Sequence, residues 1–210
     1  MKRTIQRITD PDLANLAVQA QIKRLRARGL PEQWARVGTV FEDQIIRIKR
    51  DPVQFPSGAL GTFINLERST QQSGGVVIVP RLGDRFVMLR HWRYALGIIS
   101  LEFPRGMVDV NESLENGARR EIGEEIGAFC TSLKNIGCVQ PDGGLMNMPA
   151  QIFLAEIEAI GELQLDEGIV GIEMLTRSEI ARKLIEGGVI DGYSLSAIAF
   201  LTANEDAAKL

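Results

Sequence analysis

Residues 106–128 read GMVDVNESLENGARREIGEEIGA, and no other stretch of the 210-residue chain narrows its possible folds so far. Asn111 or Ser113 can cap a helix start here, while Glu112 and Glu115 put negative charge near the positive end of its dipole. The pattern predicts a helix over 113–127. On such a helix Leu114, Ala118, Glu121 and Glu125 follow spacings of 4, 3 and 4 and form one stripe. The stripe begins apolar, which marks it as core-facing, and it ends in acids. Glu124 shares the acidic end, three residues from Glu121. Partly buried like charges raise the free energy unless a cation or a hydrogen-bonding group offsets them. All-oxygen ligands favour a hard ion, so the expected cofactor is Mg2+, with Mn2+ as its substitute.

Three further positions shape this stretch. Arg120 lies beside the acidic face and is placed to reach back to Glu112, tying the preceding loop to the helix by a charge-assisted pair. Gly117 and Gly123 lower helix propensity by about 1 kcal/mol each relative to alanine, which calls for a compensating reason such as close approach of a strand. Gly106 follows Arg105 at a strand-to-loop junction, where a bare Cα would let the Arg105 carbonyl turn toward a metal.

The rest of the chain reads as mixed α and β without regular βαβα alternation. Asp10 and Pro11 start a helix over 12–28 that Gly29 and Pro31 end, and its basic residues Lys23, Arg24, Arg26 and Arg28 are expected on a solvated face. A β-branched run at Ile45, Ile46 and Ile48 stops at Asp51 and Pro52, and 60–66 follows a turn at Pro56, Ser57 and Gly58. Further strands are expected at 76–80, 85–89, 98–103, 132–139, 150–157 and 169–175, with a turn at Leu82, Gly83 and Asp84. Ser178 is read as the cap of a helix ending near Glu186, and 194–203 as a final helix. The expected organisation is an N-terminal helical arm over 1–39, a small antiparallel β region over 40–72, and a catalytic domain over 73–210.

Composition bounds the partners. A net charge of -3 gives no basic footprint for nucleic acid, so a polyanionic substrate must be met locally. Cys130 and Cys138 form no CxxC pattern and the single histidine rules out multi-histidine zinc sites, so the cysteines are expected to be free and buried in a reducing cytoplasm. No apolar run is long enough to cross a membrane. Lys2, Arg3 and Arg7 make the start basic, but Asp10 and Asp12 follow at once, unlike a transit peptide.

The stretch at 106–128 resembles the Nudix box: a glycine, five residues, a glutamate, seven residues, then Arg-Glu-aliphatic-x-Glu-Glu-x-Gly-aliphatic. Gly106, Glu112, Arg120, Glu121, Ile122, Glu124, Glu125 and Gly127 match, and only Ala128 is smaller than the usual aliphatic residue. The resemblance implies an αβα sandwich with a mixed sheet, in which the box forms a loop-helix-loop that holds divalent metals on a diphosphate. By it, Glu121 and Glu125 are the principal metal ligands, Glu124 assists, and Glu112 orients Arg120. Arg90-His91-Trp92-Arg93-Tyr94, Leu101-Glu102-Phe103-Pro104-Arg105-Gly106 and the Gly-Val-Ile-Asp-Gly ending look like the ADP-ribose pyrophosphatase branch, over roughly 40–205. That likeness implies a nucleotide substrate whose diphosphate meets Arg93 and whose site Glu102 helps to line. It also implies a homodimer exchanging N-terminal strands, a role 45–66 would serve. The alternative is that Arg93 is simply a surface cation and Glu102 a partner in an ordinary surface salt bridge. Trp92 and Tyr94 are expected to pack rather than to form a base-stacking platform.

One departure stands out. In that branch the loop after the box carries a glutamate that positions or deprotonates the attacking water, and here 141–149 contains none. Asp142 is its only acid, while Glu162, Asp166 and Glu167 lie in the next connection. The expected reaction is hydrolysis of a pyrophosphate bond to two monophosphates, with the identity of the general base open among these residues. The altered loop also permits a second class, a ligand-sensing module that keeps the fold without turnover. Intact Glu121, Glu124 and Glu125 weigh against it.

Overall fold

The computed structural model describes residues 4–69 and 72–207; Lys2 and Arg3 of the basic start lie outside the described residues. Along the chain come β1 (Gln6–Arg7), α1 (Pro11–Ala27), β2 (Gly38–Glu42), β3 (Ile46–Gln54), β4 (Leu60–Arg68), β5 (Gln72–Leu82) and β6 (Arg85–Arg93). Then follow β7 (Ile98–Glu102), β8 (Arg105–Asp109), α2 (Leu114–Ile126), β9 (Cys130–Val139), β10 (Met146–Asn147) and β11 (Ala150–Ile157). The chain closes with β12 (Ile169–Leu175), α3 (Arg177–Ile185) and α4 (Gly192–Ala207). Contacts divide it into two compact units, one drawn from residues up to 71 with Asp142–Asn147, the other from Gln72–Pro141 and Met148–Leu210.

In the first unit β3 pairs antiparallel with β1, β2 and β4, and β10 lies parallel to β4. Asp10 caps α1 by accepting the Leu13 N–H at 2.8 Å, with Pro11 in the first turn. Strand β3 runs on through Pro52 instead of stopping there. The Pro52 carbonyl accepts the Ile8 N–H on the side where β3 meets only the two-residue β1, so the missing proline N–H interrupts no long ladder.

The second unit is an αβα sandwich. Its sheet runs β12-β6-β5-β11-β9, with β7 on β6 and β8 on β5; β5 and β11 are parallel and the other pairings antiparallel. The strand period of two sorts the side chains onto both faces. Val77, Val79, Phe86 and Met88 pack toward Ile180 of α3 and Ala197, Ile198 and Leu201 of α4. Their neighbours Val76, Ile78, Val87 and Leu89 pack toward Ala118, Ile122 and Ile126 of α2. Full burial of an isoleucine contributes about 1.5–3 kcal/mol, so Ile122 and Ile126, both at 0% exposure, fix α2 on this face.

Local differences from the sequence expectation have local causes. Thr176, not Ser178, caps α3, because Glu179 three residues on completes a capping box with it. Strand β8 occupies what reads as loop, held to β5 from Gln72↔Asp109 to Val77↔Arg105. Cys130 is buried as expected, whereas Cys138 is exposed; both are free.

Candidate active site

Helix α2 is built to present acids from a fixed base. Ser113 Oγ accepts the Asn116 N–H at 3.2 Å, and Gly127 ends the helix in the left-handed region at φ 62°. Val108 of β8 packs against Gly117, where an added Cβ would lie 2.7 Å from the valine Cγ2. Gly117 therefore has the close-approach reason the sequence calls for. Gly123 does not, since its nearest neighbour would stand 3.8 Å off.

The stripe carries its acids inward: Glu121 is 8% and Glu125 3% exposed, while Glu124 faces solvent. Arg120 gathers the loop and helix. Its Nε and Nη2 donate to the two Glu112 carboxylate oxygens at 3.1 and 3.0 Å, and Nη2 also donates to the Met107 carbonyl at 2.8 Å. Its Nη1 donates to Glu121 Oε1 and Glu124 Oε2, both at 2.9 Å. Glu112 is held below the usual carboxylate range by the Arg120 hydrogen bonds, which outweigh slight desolvation.

Glu125 is differently placed. The hydrogen bond that reaches it among the described residues is the Arg105 N–H, at 3.0 Å from Oε2. Burial, then the charges of Glu121 and Glu167, push its carboxyl up to about 8. Glu121 is also raised, by burial above all, although Arg120 works against the shift. Gly106 makes room for this pair, because a Cβ there would overlap the Glu121 carboxyl. That steric demand is a more direct reason for a bare Cα than the turning of the Arg105 carbonyl.

A second cluster lies at the end of β6 and β7. Glu102 is 1% exposed and takes Arg93 bidentately, with Nε at 3.0 and 2.9 Å and Nη2 at 2.5 Å. Burial pushes the Glu102 carboxyl up, but the Arg93 hydrogen bonds and the charges of Arg93 and Arg105 outweigh it, and the net shift is downward. The pair is thus a buried one, not a surface salt bridge. Arg105 Nη2 stands 3.4 Å from both Glu102 and Asp191, with its guanidinium over the Tyr193 ring at 4.7 Å. Ser194 Oγ accepts the Phe103 N–H at 2.9 Å and anchors the start of α4 beside them. Trp92 and Tyr94, expected to pack, are instead 46% and 92% exposed, the first near the end of β6 and the second in the turn that follows it.

The following connection closes on the helix end through its main chain. Gly161 N–H donates to the Ile126 carbonyl at 3.0 Å and Gln164 N–H to the Glu125 carbonyl at 3.2 Å. Gly127 and Gly161 cross there: a Cβ on Gly161 would lie 2.7 Å from the Gly127 carbonyl oxygen. Of the three acids beyond the crossing, Glu167 is the one whose charge bears on both Glu121 and Glu125. Asp142 belongs to the other compact unit, where its carboxylate accepts the Gly144 and Leu145 N–H groups of its own turn.

Among the described residues no three histidine, cysteine, aspartate or glutamate side chains converge as a closed metal cage. What the chain offers is an open pair of buried carboxylates, Glu121 and Glu125, with Glu124 turned to Arg120. Such a donor set fits magnesium, which binds through one or two carboxylates and keeps waters and phosphate oxygens in the rest of its shell.

The chain matches the NUDIX domain over residues 71–193. The chain belongs to the Nudix family. It is 27% identical over 185 residues, 85% of this chain and 96% of the relative, to an ADP-ribose pyrophosphatase of Bacillus subtilis (strain 168). It is 29% identical over 93 residues, 43% of this chain and 48% of the relative, to the ADP compounds hydrolase NudE of Escherichia coli (strain K12). A crystal structure of an ADP compounds hydrolase superposes with a TM-score of 0.72 at 20% identity, covering 82% of this chain and 93% of that one, a likeness of fold. This Nudix hydrolase is therefore an enzyme of a divalent-metal-dependent family whose substrates are small nucleotides. No helix among its described residues is long and apolar enough to cross a membrane.

Proposed function

We propose that this Nudix hydrolase cleaves the pyrophosphate bond of a nucleoside diphosphate derivative, ADP-ribose first and another nucleotide sugar second, releasing two monophosphates. The observation that carries the reading is the pair Glu121 and Glu125, buried side by side at the end of an otherwise apolar helix face. Two buried carboxylates can both ionise near neutral pH only where a cation offsets their repulsion, and of these two Arg120 reaches Glu121 alone. On this reading Glu121 and Glu125 hold Mg2+, or Mn2+ in its place, Glu124 assists, and the Arg105 carbonyl completes the protein's share. The chemistry that a bound divalent ion supplies is neutralisation of the diphosphate and acidification of a water molecule. Gly106 gives the Glu121 carboxyl its space, and Glu112 restrains Arg120. Arg93 reaches the diphosphate from its seat on Glu102. Glu167 aligns the attacking water and accepts its proton, the role for which the 141–149 loop has no glutamate.

The reading includes a homodimer and no nucleic-acid partner. Val40, Phe41, Ile45, Phe63 and Ile64, all at least 36% exposed, give the N-terminal sheet an apolar surface suited to a second copy. The net charge of -3 offers no basic face for nucleic acid. Two free thiols suit a reducing cytoplasm.

The test is monophosphate release from ADP-ribose, nucleotide sugars, dinucleoside polyphosphates and NADH with Mg2+ or Mn2+. Turnover of ADP-ribose above the others supports the reading. No turnover of any of them with either ion would sink it. Glu125→Gln should lower kcat by about 100-fold or more while the fold persists.

A further inference from the structure

The only histidine in the chain, His91, is 5% exposed and belongs to neither the carboxylate pair nor the Arg93–Glu102 pair. It sits on β6 and turns its ring to the connection that carries Glu167. Its Nε2 lies 2.9 Å from the Glu167 carbonyl oxygen and 3.3 Å from Arg93 Nη1. Both contacts cannot be hydrogen bonds at once. Arg93 only donates and a carbonyl only accepts, so Nε2 either accepts from the first or donates to the second. The carbonyl contact is the shorter one, and a carbonyl oxygen 2.9 Å from a bare nitrogen lone pair would be repelled. The ring is therefore the neutral Nε2–H tautomer, with Nδ1 as a buried lone pair that finds no partner among the described residues. Burial, and next the Arg93 charge, lower the histidine pKa and favour this neutral form.

A second anchor stands next to the first. The Trp92 N–H donates to the Gly168 carbonyl at 2.8 Å, so β6 grips two successive peptide units of the connection. Gly168 allows it. Its φ is 89°, and a Cβ there would lie 3.2 Å from the Trp92 carbonyl oxygen and 3.6 Å from the His91 ring.

We infer that His91 is a positioning residue, whose Nε2–H grips the Glu167 carbonyl and thereby holds the Glu167 carboxylate where it aligns the attacking water. The inference rests on the role given to Glu167 above. The buried ring acts through the Glu167 main chain, not on the reacting atoms. A leucine at 91 fills the buried space without a donor, whereas a glutamine restores an N–H of similar reach.

Steady-state kinetics of His91→Leu, His91→Gln and Glu167→Gln with ADP-ribose and Mg2+ separate the two layers of this reading. Glu167→Gln is expected to lower kcat by about 100-fold. His91→Leu is expected to lower kcat by about tenfold with KM inside a twofold range, and His91→Gln to recover most of the loss. A Leu variant with unchanged kcat, or one that loses through KM alone, overturns the inference, as does a Gln variant no better than Leu. An unaffected Glu167→Gln instead removes the role of Glu167, and with it the reason for the grip. Nitrogen-15 NMR of the single histidine in the wild-type protein needs no activity. It should show a neutral ring protonated at Nε2 near pH 7, and an Nδ1–H tautomer or an imidazolium would overturn the grip whatever the kinetics say.

Discussion

Raising the pH from about 5 to about 8 in the presence of a chelator is expected to destabilise this Nudix hydrolase, and Glu125→Gln is expected to remove most of that loss. Glu125, 3% exposed, holds its proton up to about 8, against 4.5 in an unfolded chain, because burial and then the Glu121 and Glu167 charges disfavour its ionised form. Folded protein thus binds a proton over a window in which unfolded protein has lost it. The stability so contributed is complete below about 4.5 and is lost as the pH rises through about 8. At about 1.4 kcal/mol per pKa unit the ceiling is about 5 kcal/mol. Glu121 is raised as well and titrates with Glu125 as a pair, so this ceiling belongs to both. Between about pH 5 and about pH 8 about 3.5 kcal/mol of this is lost, and since about 1 kcal/mol moves Tm by about 2–4 °C for a chain of this length, the fall is about 7–14 °C. Excess Mg2+ competes with the proton for the ionised pair and should flatten the dependence, with proton release on binding near pH 7 measurable by calorimetry in buffers of different ionisation enthalpy. Thermal unfolding of wild type and Glu125→Gln across this range, with EDTA and with Mg2+, reads all of it. Parallel curves for the two proteins in EDTA would refute the reasoning, because the buried carboxyl would then carry no linked proton.

Arg93→Ala leaves the more distant Arg105 as the one cation on the buried Glu102 among the described residues, and should lower unfolding free energy in urea by about 3 kcal/mol. The double variant Arg93→Ala, Glu102→Gln should recover part of that loss. Gly117→Ala and Gly123→Ala should move stability in opposite directions although both add a helix-favouring methyl group. The first drives it into Val108 and costs about 1–3 kcal/mol, while the second meets nothing closer than 3.8 Å and gains up to about 1 kcal/mol, as denaturant midpoints will record. Gly106→Ala should displace the Glu121 carboxyl and reduce kcat by at least about tenfold, with Mg2+ titration showing weaker binding.

How far the sequence reveals this molecule follows from the range of the forces involved. The box helix is legible because its information is local: cap, dipole charges and the 4, 3, 4 spacing all lie within 106–128. The alternation that sends Val76 and Ile78 to one helix layer and Val77 and Val79 to the other is legible for the same reason. Strand β8 is not, because its partner β5 lies some thirty residues upstream and Arg105-Gly106 alone carries no strand preference. Nor does a proline reveal by itself whether its bare nitrogen faces a long ladder or a short one, which decided the course of β3. The burial of Glu102 and the exposure of Trp92 and Tyr94 depend on how β6 and β7 pair, and composition reverses both. Sequence spacing puts Glu162, Asp166 and Glu167 on an equal footing. Only the fold, by crossing Gly127 over Gly161 and gripping Gly168 against β6, sets Glu167 apart.

That crossing makes the segment from 162 to 166 a span fixed at both ends. At one end glycine backbones touch so closely that neither position tolerates a side chain, and at the other Gly168 is pressed on β6. Within the span the tie to α2, from the Gln164 N–H to the Glu125 carbonyl, is made by main chain and does not depend on which side chain stands there. Its exposed side chains are free to be exchanged like an insert in a frame, while the carboxylates on the helix keep their places. The three glycines at its borders would be the last to change.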